Sequence, residues 1–170
     1  NQMNNPLHHF FSADHHRLEK LLDYAFITFP EIDMTFYLPF RSGLLRHIKM
    51  EENILFPAAK AIDANKMKEI LLQFRLEHGA LTALMVPPPT PDLIKVIKHI
   101  LEKHDFEEEK PGGLYDICEL LTQAQTQNLL QQLANTPEVP LHPPNHTTFA
   151  FDAAKRVLLR AGYDYDVIVK

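Results

Sequence analysis

The sequence has a single cysteine and few glycines, and it lacks both a long apolar run and a clustered basic patch. Because Cys118 is the only cysteine among 170 residues, no disulfide can form within the chain and nothing indicates an oxidising compartment. The net charge of -5 argues against a nucleic-acid partner. No apolar run approaches the roughly 18 residues of a membrane span, and residues 1–10 lack a signal-peptide profile. We therefore expect a cytoplasmic protein that binds neither nucleic acid nor a membrane.

Proline and histidine are abundant instead. Thirteen prolines stand against five glycines, and they cluster at residues 86–91 (VPPPTP) and 137–144 (PEVPLHPP), where they predict interruptions between helices. The sequence also contains ten histidines, and 45% of its residues are hydrophobic. This share is sufficient for one domain with a buried core.

Apolar residues recur at spacings of three and four through the first two-thirds of the chain, which predicts helices. The first helix is expected to begin near Ser12 or Asp14 and to end before Pro30. The others are expected at residues 33–61, 65–85 and 91–109, the last capped by Thr90 with Pro91 in its first turn. Four such helices joined by short loops predict an all-α, up-down-up-down four-helix bundle.

The rest of the chain is expected to form a separate C-terminal extension, residues 116–170, of unknown role. Residues 114–134 have the pattern of a fifth helix, the second proline cluster that of a linker, and residues 151–162 that of a short helix. The last eight residues, YDYDVIVK, alternate like a strand but have no evident partner strand, so they stay unassigned.

A histidine interrupts the apolar stripe of each of the four main helices. Two glutamates follow four residues after two of these histidines, so all six side chains are expected to point inward. They are His15, His47, Glu51, His78, His104 and Glu108. Counting residues from the turns places the four histidines in one layer, if the extended VPPP segment compensates for a shorter third helix. Buried carboxylates need a compensating positive charge, and a pair of metal ions would supply it. Imidazole and carboxylate ligands suit iron, manganese, zinc and copper alike.

Other polar residues near these positions have simpler interpretations. His15 lies on the apolar face with Leu18, whereas His16 shares its face with Glu19, so His15 is the preferred ligand. The neighbouring carboxylates are expected to be solvated, although Asp14 and Glu77 could alternatively orient ligand imidazoles; this set is Asp14, Glu19, Glu52, Glu77, Glu107 and Glu109. The remaining histidines are expected at the surface, and Cys118 in a helix core; these histidines are His8, His9, His16, His99, His142 and His146.

Four segments together resemble the helices of a hemerythrin-like domain, the histidine–histidine–glutamate cation-binding family. The segments are DHHRLEKLL, HIKMEENILFP, LEHGALTAL and LEKHDFEEE, and the resemblance covers roughly residues 8–115. It implies a metal-binding bundle in which two iron ions are held by His15, His47, His78 and His104 and bridged by Glu51 and Glu108. Oxygen-carrying hemerythrins have a second histidine where this chain has Thr82, and a histidine and an aspartate five apart where His104 and Glu108 are four apart. The chain is therefore more similar to four-histidine, two-glutamate domains that sense iron or oxygen or repair iron centres.

The resemblance implies a non-haem di-iron protein that binds or senses dioxygen, nitric oxide or iron. The alternatives are a redox enzyme that consumes peroxide or nitric oxide, and an iron-centre repair protein. The cysteine-bearing amino-terminal segment of repair proteins has no counterpart in this sequence, which weakens that alternative. The expected partner is a diatomic ligand or peroxide, and a homo-oligomer is left open.

Overall fold

A computed structural model of the protein describes residues 4–170, which form helices joined by turns and one extended segment. No strand occurs in this range, as the all-α prediction requires. The first part comprises α1 (Pro6–Phe26), α2 (Met34–Met50), a π-helical turn (Glu51–Leu55), α3 (Phe56–Ile62), α4 (Ala64–Leu84) and α5 (Pro91–Glu109). Helix α1 packs against α2 and α5, and α4 packs against α3 and α5. None of the helices in residues 4–170 is both long and apolar enough to cross a membrane.

The helix ends follow local capping chemistry. The Asp33 carboxylate accepts the Thr35 N–H ahead of α2, and the Thr90 hydroxyl accepts the Leu93 N–H ahead of α5. The predicted start of the first helix was wrong. Helix α1 begins at Pro6, a position that suits proline because an N–H group in the first turn has no acceptor within the helix. Ser12 and Asp14 therefore lie inside the helix.

The long second helix predicted from the sequence is interrupted one turn after His47. Residues Glu51–Leu55 form a π-helical turn, which is wider than an α-helical turn and occurs often at functional sites. Glu51 and Glu52 are the first two residues of this turn. The wider turn changes the directions of the side chains that follow His47, including those of Glu51 and Glu52 in the polar layer of the interior.

Two apolar clusters fill the interior, and the predicted polar residues lie between them. Along α1, Phe11 belongs to one cluster and Leu18 to the other, with His15 between them. Along α5, Ile100 belongs to the cluster that contains Leu18, and Leu114, just beyond the helix, belongs to the cluster that contains Phe11. The same change of cluster occurs around His47 in α2 and around His78 in α4. The four histidines thus lie at one level of the core, as the residue counts predicted.

The C-terminal residues pack along the outside of these helices. They form α6 (Leu114–Leu121), a 3-10 turn (Gln123–Gln125), α7 (Thr126–Ala134), α8 (Thr148–Arg160) and α9 (Tyr165–Ile168). The predicted helix over residues 114–134 is therefore split in two. The strand-like alternation at the end was misleading, because Asp164 accepts the N–H groups of Asp166 and Val167 and caps a short helix. Helices α6 and α7 contact α1, α8 contacts α4, and α9 contacts α5.

The proline-rich segment between α7 and α8 is held by side chains of α2. Arg41 donates to the His142 carbonyl at 2.8 Å, and Arg46 donates to the Thr136 carbonyl at 2.8 Å. Ser42 donates to a third carbonyl of the segment at 3.2 Å. The segment predicted as a linker therefore has defined contacts along α2.

Candidate metal centre

The structure brings all six predicted ligands together in the interior. His15, His47, His78 and His104 are each at most 6% exposed, and Glu51 and Glu108 are fully buried. Two groups have ligand atoms within 4.8 Å of one another: Glu51, His78, His104 and Glu108, and His15, His47 and Glu108. Either group could hold a metal ion, and they share Glu108.

The distances divide the centre into two halves joined by the glutamates. The Oε1 atom of Glu108 lies 3.2 Å from His15 Nε2 and 3.3 Å from His104 Nε2, so this carboxylate faces both halves. The Oε1 atom of Glu51 lies 3.0 Å from His78 Nε2 and 3.7 Å from His47 Nε2. Two imidazoles and shared carboxylate oxygens therefore converge on each half.

Several of the converging atoms have no hydrogen-bond partner. Glu51 Oε1, His78 Nε2 and both carboxylate oxygens of Glu108 are buried and make no hydrogen bond. The 3.0 Å separation between Glu51 Oε1 and His78 Nε2 thus brings two polar atoms together without hydrogen-bond geometry. Buried polar atoms are costly unless something satisfies them, and a cation at the point of convergence would do so. The donor set fits a metal ion that prefers nitrogen and oxygen ligands.

The buried carboxylates at the centre also favour a bound cation. Burial lowers the pKa of His78, but the neighbouring Glu51 and Glu52 outweigh burial and raise it to about 9. The pKa values of His15 and His104 are likewise raised well above the usual range against burial, chiefly by Glu108. Without a metal, these imidazoles are therefore driven to hold protons. Metal ions would replace those protons as the balancing positive charge.

Each ligand imidazole is held by a carboxylate from a neighbouring helix or turn. The Nδ1 atom of His47 bonds to Asp14 (2.8 Å), and that of His78 bonds to Glu52 (2.7 Å). The Nδ1 atom of His104 bonds to Glu77 (2.9 Å), and that of His15 bonds to Glu109 (2.8 Å). The four contacts run from α1 to α2, from the π turn to α4, from α4 to α5, and from α5 back to α1. With Nδ1 so engaged, each Nε2 points to the centre, an arrangement that orients metal-binding histidines.

This ring of contacts corrects the interpretation of the acidic neighbours as solvated groups. Each of the four carboxylates adjoins a predicted ligand in the sequence: Asp14 with His15, Glu52 with Glu51, Glu77 with His78 and Glu109 with Glu108. The acceptor role considered for Asp14 and Glu77 agrees with the geometry, and Glu52 and Glu109 have the same role. Glu19 is exposed, as predicted, and Glu107 is half-buried and pairs with Lys110 rather than with a histidine.

The ring of carboxylate–imidazole contacts permits a matched comparison of two nearby glutamates on α5. Glu109→Gln is expected to weaken metal binding by roughly 10- to 100-fold, because losing the carboxylate partner leaves the His15 ring less well oriented. Glu107→Gln is the control, since the Glu107 side chain is 39% exposed and its carboxylate pairs with Lys110 rather than with a histidine. Competition titrations with a chromogenic chelator would measure both affinities. Equal affinities in the two variants would contradict an orienting role for Glu109.

Two further polar groups reach the centre that the sequence did not identify. The Tyr115 hydroxyl of α6 lies 2.9 Å from His15 Nε2 and donates to Glu51 Oε2 at 2.9 Å. The Asp105 Oδ1 atom lies 3.3 Å from His15 Nε2 and has no hydrogen-bond partner. Burial raises the pKa of Asp105 to about 7. Tyr115 lies six residues beyond the predicted end of the fourth helix at residue 109, and Asp105 lacks the four-residue spacing that marked the glutamates.

The C-terminal residues also contact the ring of carboxylates. Glu77, which accepts from His104 Nδ1, accepts the Tyr163 hydroxyl at 2.5 Å as well. Gln73 donates to the Ala161 carbonyl at 2.8 Å and approaches Glu77 at 3.3 Å. The loop between α8 and α9 therefore holds the carboxylate that orients one of the ligand imidazoles.

A cavity of about 540 Å³ leads to the centre between α1 and α5. All four ligand histidines and Glu51 line it. Its apolar walls come from α1, α2, α4 and α5, and they are Leu18, Leu22, Leu44, Ile48, Leu81 and Leu101. Charged side chains, among them Lys98 and Glu102, also line the cavity. A small molecule could reach the polar centre through this cavity.

The remaining sequence predictions have mixed outcomes. His15 is buried and His16 is exposed, which agrees with the choice between them. Thr82 is exposed and does not face the centre. Cys118 is a buried core residue, as predicted. The histidines predicted at the surface are exposed, except that His8 is half-buried and bonds to Asp116 at 2.8 Å.

No family model, curated protein or solved structure matches the chain. The function proposed below therefore rests on the geometry of this centre.

Proposed function

We propose that this protein is a hemerythrin-like, non-haem di-iron protein that binds a small diatomic molecule, dioxygen or nitric oxide. One observation carries the proposal: two pairs of histidines converge on two buried carboxylates, and three of the four carboxylate oxygens have no hydrogen-bond partner. In this assignment His15 and His47 would hold one ion, His78 and His104 would hold the other, and Glu51 and Glu108 would be shared between them. Bound iron would supply open coordination positions for the external ligand.

The packing of the helices supports an up-down-up-down bundle around this centre. Helix α1 passes from the Phe11 cluster to the Leu18 cluster, α2 returns, and α4 and α5 repeat the alternation. Neighbouring helices therefore run in opposite directions, as in antiparallel four-helix bundles. The carboxylate–imidazole contacts link α1, α2, α4 and α5 in one ring, which is the order expected for four helices around a common axis.

The donor types and the cavity support the choice of iron and of a small ligand. Imidazole and carboxylate ligands suit iron, as they also suit manganese, zinc and copper, and the hemerythrin-like pattern favours iron among them. Cys118 lies in the apolar cluster rather than among the proposed ligands. The cavity joins the exterior to the centre along leucine and isoleucine side chains, a suitable path for an uncharged diatomic molecule.

A redox enzyme is the second candidate, and Asp105 is the observation that favours it. Its half-buried carboxylate lines the cavity, and the buried, unpartnered Oδ1 atom lies 3.3 Å from His15 Nε2. A carboxylic acid at this position could deliver a proton to a ligand that is being reduced. In that case the centre would consume peroxide or nitric oxide rather than bind a diatomic molecule reversibly.

Iron loading tests the proposed function. The full chain, loaded anaerobically with ferrous iron and then desalted, is expected to retain two irons per chain. His78→Ala should retain fewer, because it removes a ligand from one half, whereas His16→Ala should retain two, because His16 is exposed. Fewer than one iron per wild-type chain would refute the dinuclear assignment. Stable adducts with nitric oxide or dioxygen would favour the binding function, and turnover would favour the enzyme.

A further inference from the structure

The position of Tyr115 is fixed by the turn that follows α5. Gly113 precedes α6, and a Cβ atom at this residue would lie 2.6 Å from the Glu107 carbonyl oxygen, so the chain turns too closely for a side chain. The Tyr115 ring is only 1% exposed and stacks on Phe11, with 5.1 Å between the ring centroids. This packing directs the hydroxyl into the polar layer from outside the ring of four helices.

The hydroxyl meets the half of the centre that contains His15 and His47. Its oxygen lies 2.9 Å from His15 Nε2, 3.2 Å from His47 Nε2 and 2.9 Å from Glu51 Oε2. Three of the proposed ligand atoms therefore surround one phenol oxygen, each at nearly the same separation.

These separations match those between adjacent ligands of one metal ion. Two nitrogen or oxygen ligands bound at about 2.1 Å and at right angles lie about 3.0 Å apart. The separation of 3.2 Å between His15 Nε2 and Glu108 Oε1 is of the same size. The phenol oxygen thus occupies a position that a ligand would occupy, beside both imidazoles and a bridging carboxylate.

We infer that Tyr115 is a seventh protein ligand, bound through its phenol oxygen to the ion held by His15 and His47. The inference rests on the proposed di-iron function. In the structure the Tyr115 hydroxyl donates a hydrogen bond to Glu51 Oε2. If a metal ion were bound there, the phenol proton would pass to solvent, as for other protic ligands, and Glu51 Oε2 would no longer accept it.

A tyrosine ligand makes the two halves of the centre unequal. His15, His47, Glu51, Glu108 and Tyr115 supply five donors to one ion, whereas His78, His104 and the two bridging glutamates supply four to the other. An external ligand arriving through the cavity would therefore find more open positions at the half that contains His78 and His104, both of which line the cavity.

Visible absorption and resonance Raman spectra of the iron-loaded full chain test the inference. A phenolate bound to ferric iron produces a charge-transfer absorption and enhanced phenolate ring vibrations. After anaerobic loading and oxidation, the wild type is expected to show both, and Tyr115→Phe is expected to lose both. Tyr37→Phe is the matched control, since Tyr37 is equally buried but lies in the other apolar cluster.

The outcomes distinguish this inference from the proposed function. Tyr115→Phe keeps the ring that stacks on Phe11, and its circular dichroism and thermal unfolding would establish that it folds. Two irons per wild-type chain without phenolate signals would overturn the ligand role of Tyr115 and leave the di-iron centre intact. Phenolate signals that persist in Tyr115→Phe would overturn it as well. A wild-type chain that binds no iron would instead refute the proposed function.

Discussion

Glu51→Gln is expected to abolish dinuclear metal binding while leaving the metal-free protein at least as stable as the wild type. Glu51 is fully buried, and its Oε1 has no hydrogen-bond partner. Burial and the charge on Glu108 raise its pKa above the usual 4.5 and outweigh the opposite effect of His47 and His78, so ionised Glu51 costs folding free energy when no metal ion is bound. Because the folded-state pKa is the higher one, the cost is absent in acid and develops as the pH rises above 4.5. Glutamine has the same shape and no charge, so it removes this cost together with the bridge.

Thermal unfolding with and without metal would measure both effects. In a chelating buffer near pH 7, Glu51→Gln is expected to unfold at the wild-type temperature or above. Metal binding stabilises the wild type by about 2.7 kcal/mol at a free metal concentration one hundred times Kd, and the variant should lose most of this gain. Glu69→Gln on the exposed face of α4 should behave as the wild type in both buffers. A variant that unfolds well below the wild type in chelator would contradict the unfavourable charge assigned to Glu51.

The inward orientation of the six candidate ligands could be predicted because helix periodicity alone decides which side of a helix they occupy. His47 and Glu51, four residues apart among apolar neighbours, must face the core whatever the other helices do. The layer followed from counting residues along helices of known rise. The predicted cap Thr90 was an equally local signal, and the structure uses it.

The carboxylates that orient the imidazoles could not be predicted in the same way, because each one contacts a histidine of another segment. Asp14 is next to His15 in the sequence but bonds to His47, and Glu109 is next to Glu108 but bonds to His15. Glu52 depends in addition on the π turn, which no α-helical spacing indicates. The available signal is the acidic residue beside a ligand in each segment, and it becomes informative only when the neighbouring helices are known.

Tyr115 and Tyr163 were missed for a related reason. Each lies just beyond a glycine-containing turn, Gly113 before α6 and Gly162 after α8, and each contacts the centre only through the direction that its turn imposes. Hydrophobic periodicity predicts which side chains of one helix face the core, but it does not predict the orientation of the next helix. Residues 116–170, expected as a separate extension, therefore include groups that complete the interior around the proposed metal site.

Leu158→Ala tests whether those C-terminal residues are part of the same core, and it is expected to have the largest effect on stability. Leu158 is fully buried in the apolar cluster that also contains Leu18 and Ile97. Shortening it would leave a cavity and lower the free energy of unfolding by roughly 2 to 5 kcal/mol. Tyr163 follows closely and bonds to Glu77, so the damage should extend to the carboxylate that orients His104.

Leu159→Ala provides the matched control, because it makes the same chemical change one residue later in α8 at a side chain that is 57% exposed. Its effect should stay within about 0.5 kcal/mol of zero, as for most surface substitutions. Urea unfolding of the metal-free variants would compare the two directly, with helix propensity changed equally in both. If both variants unfold at the wild-type urea concentration, α8 is not part of the folding core. A large loss for Leu158→Ala alone would mean that the core around the histidine layer includes residues far beyond position 115.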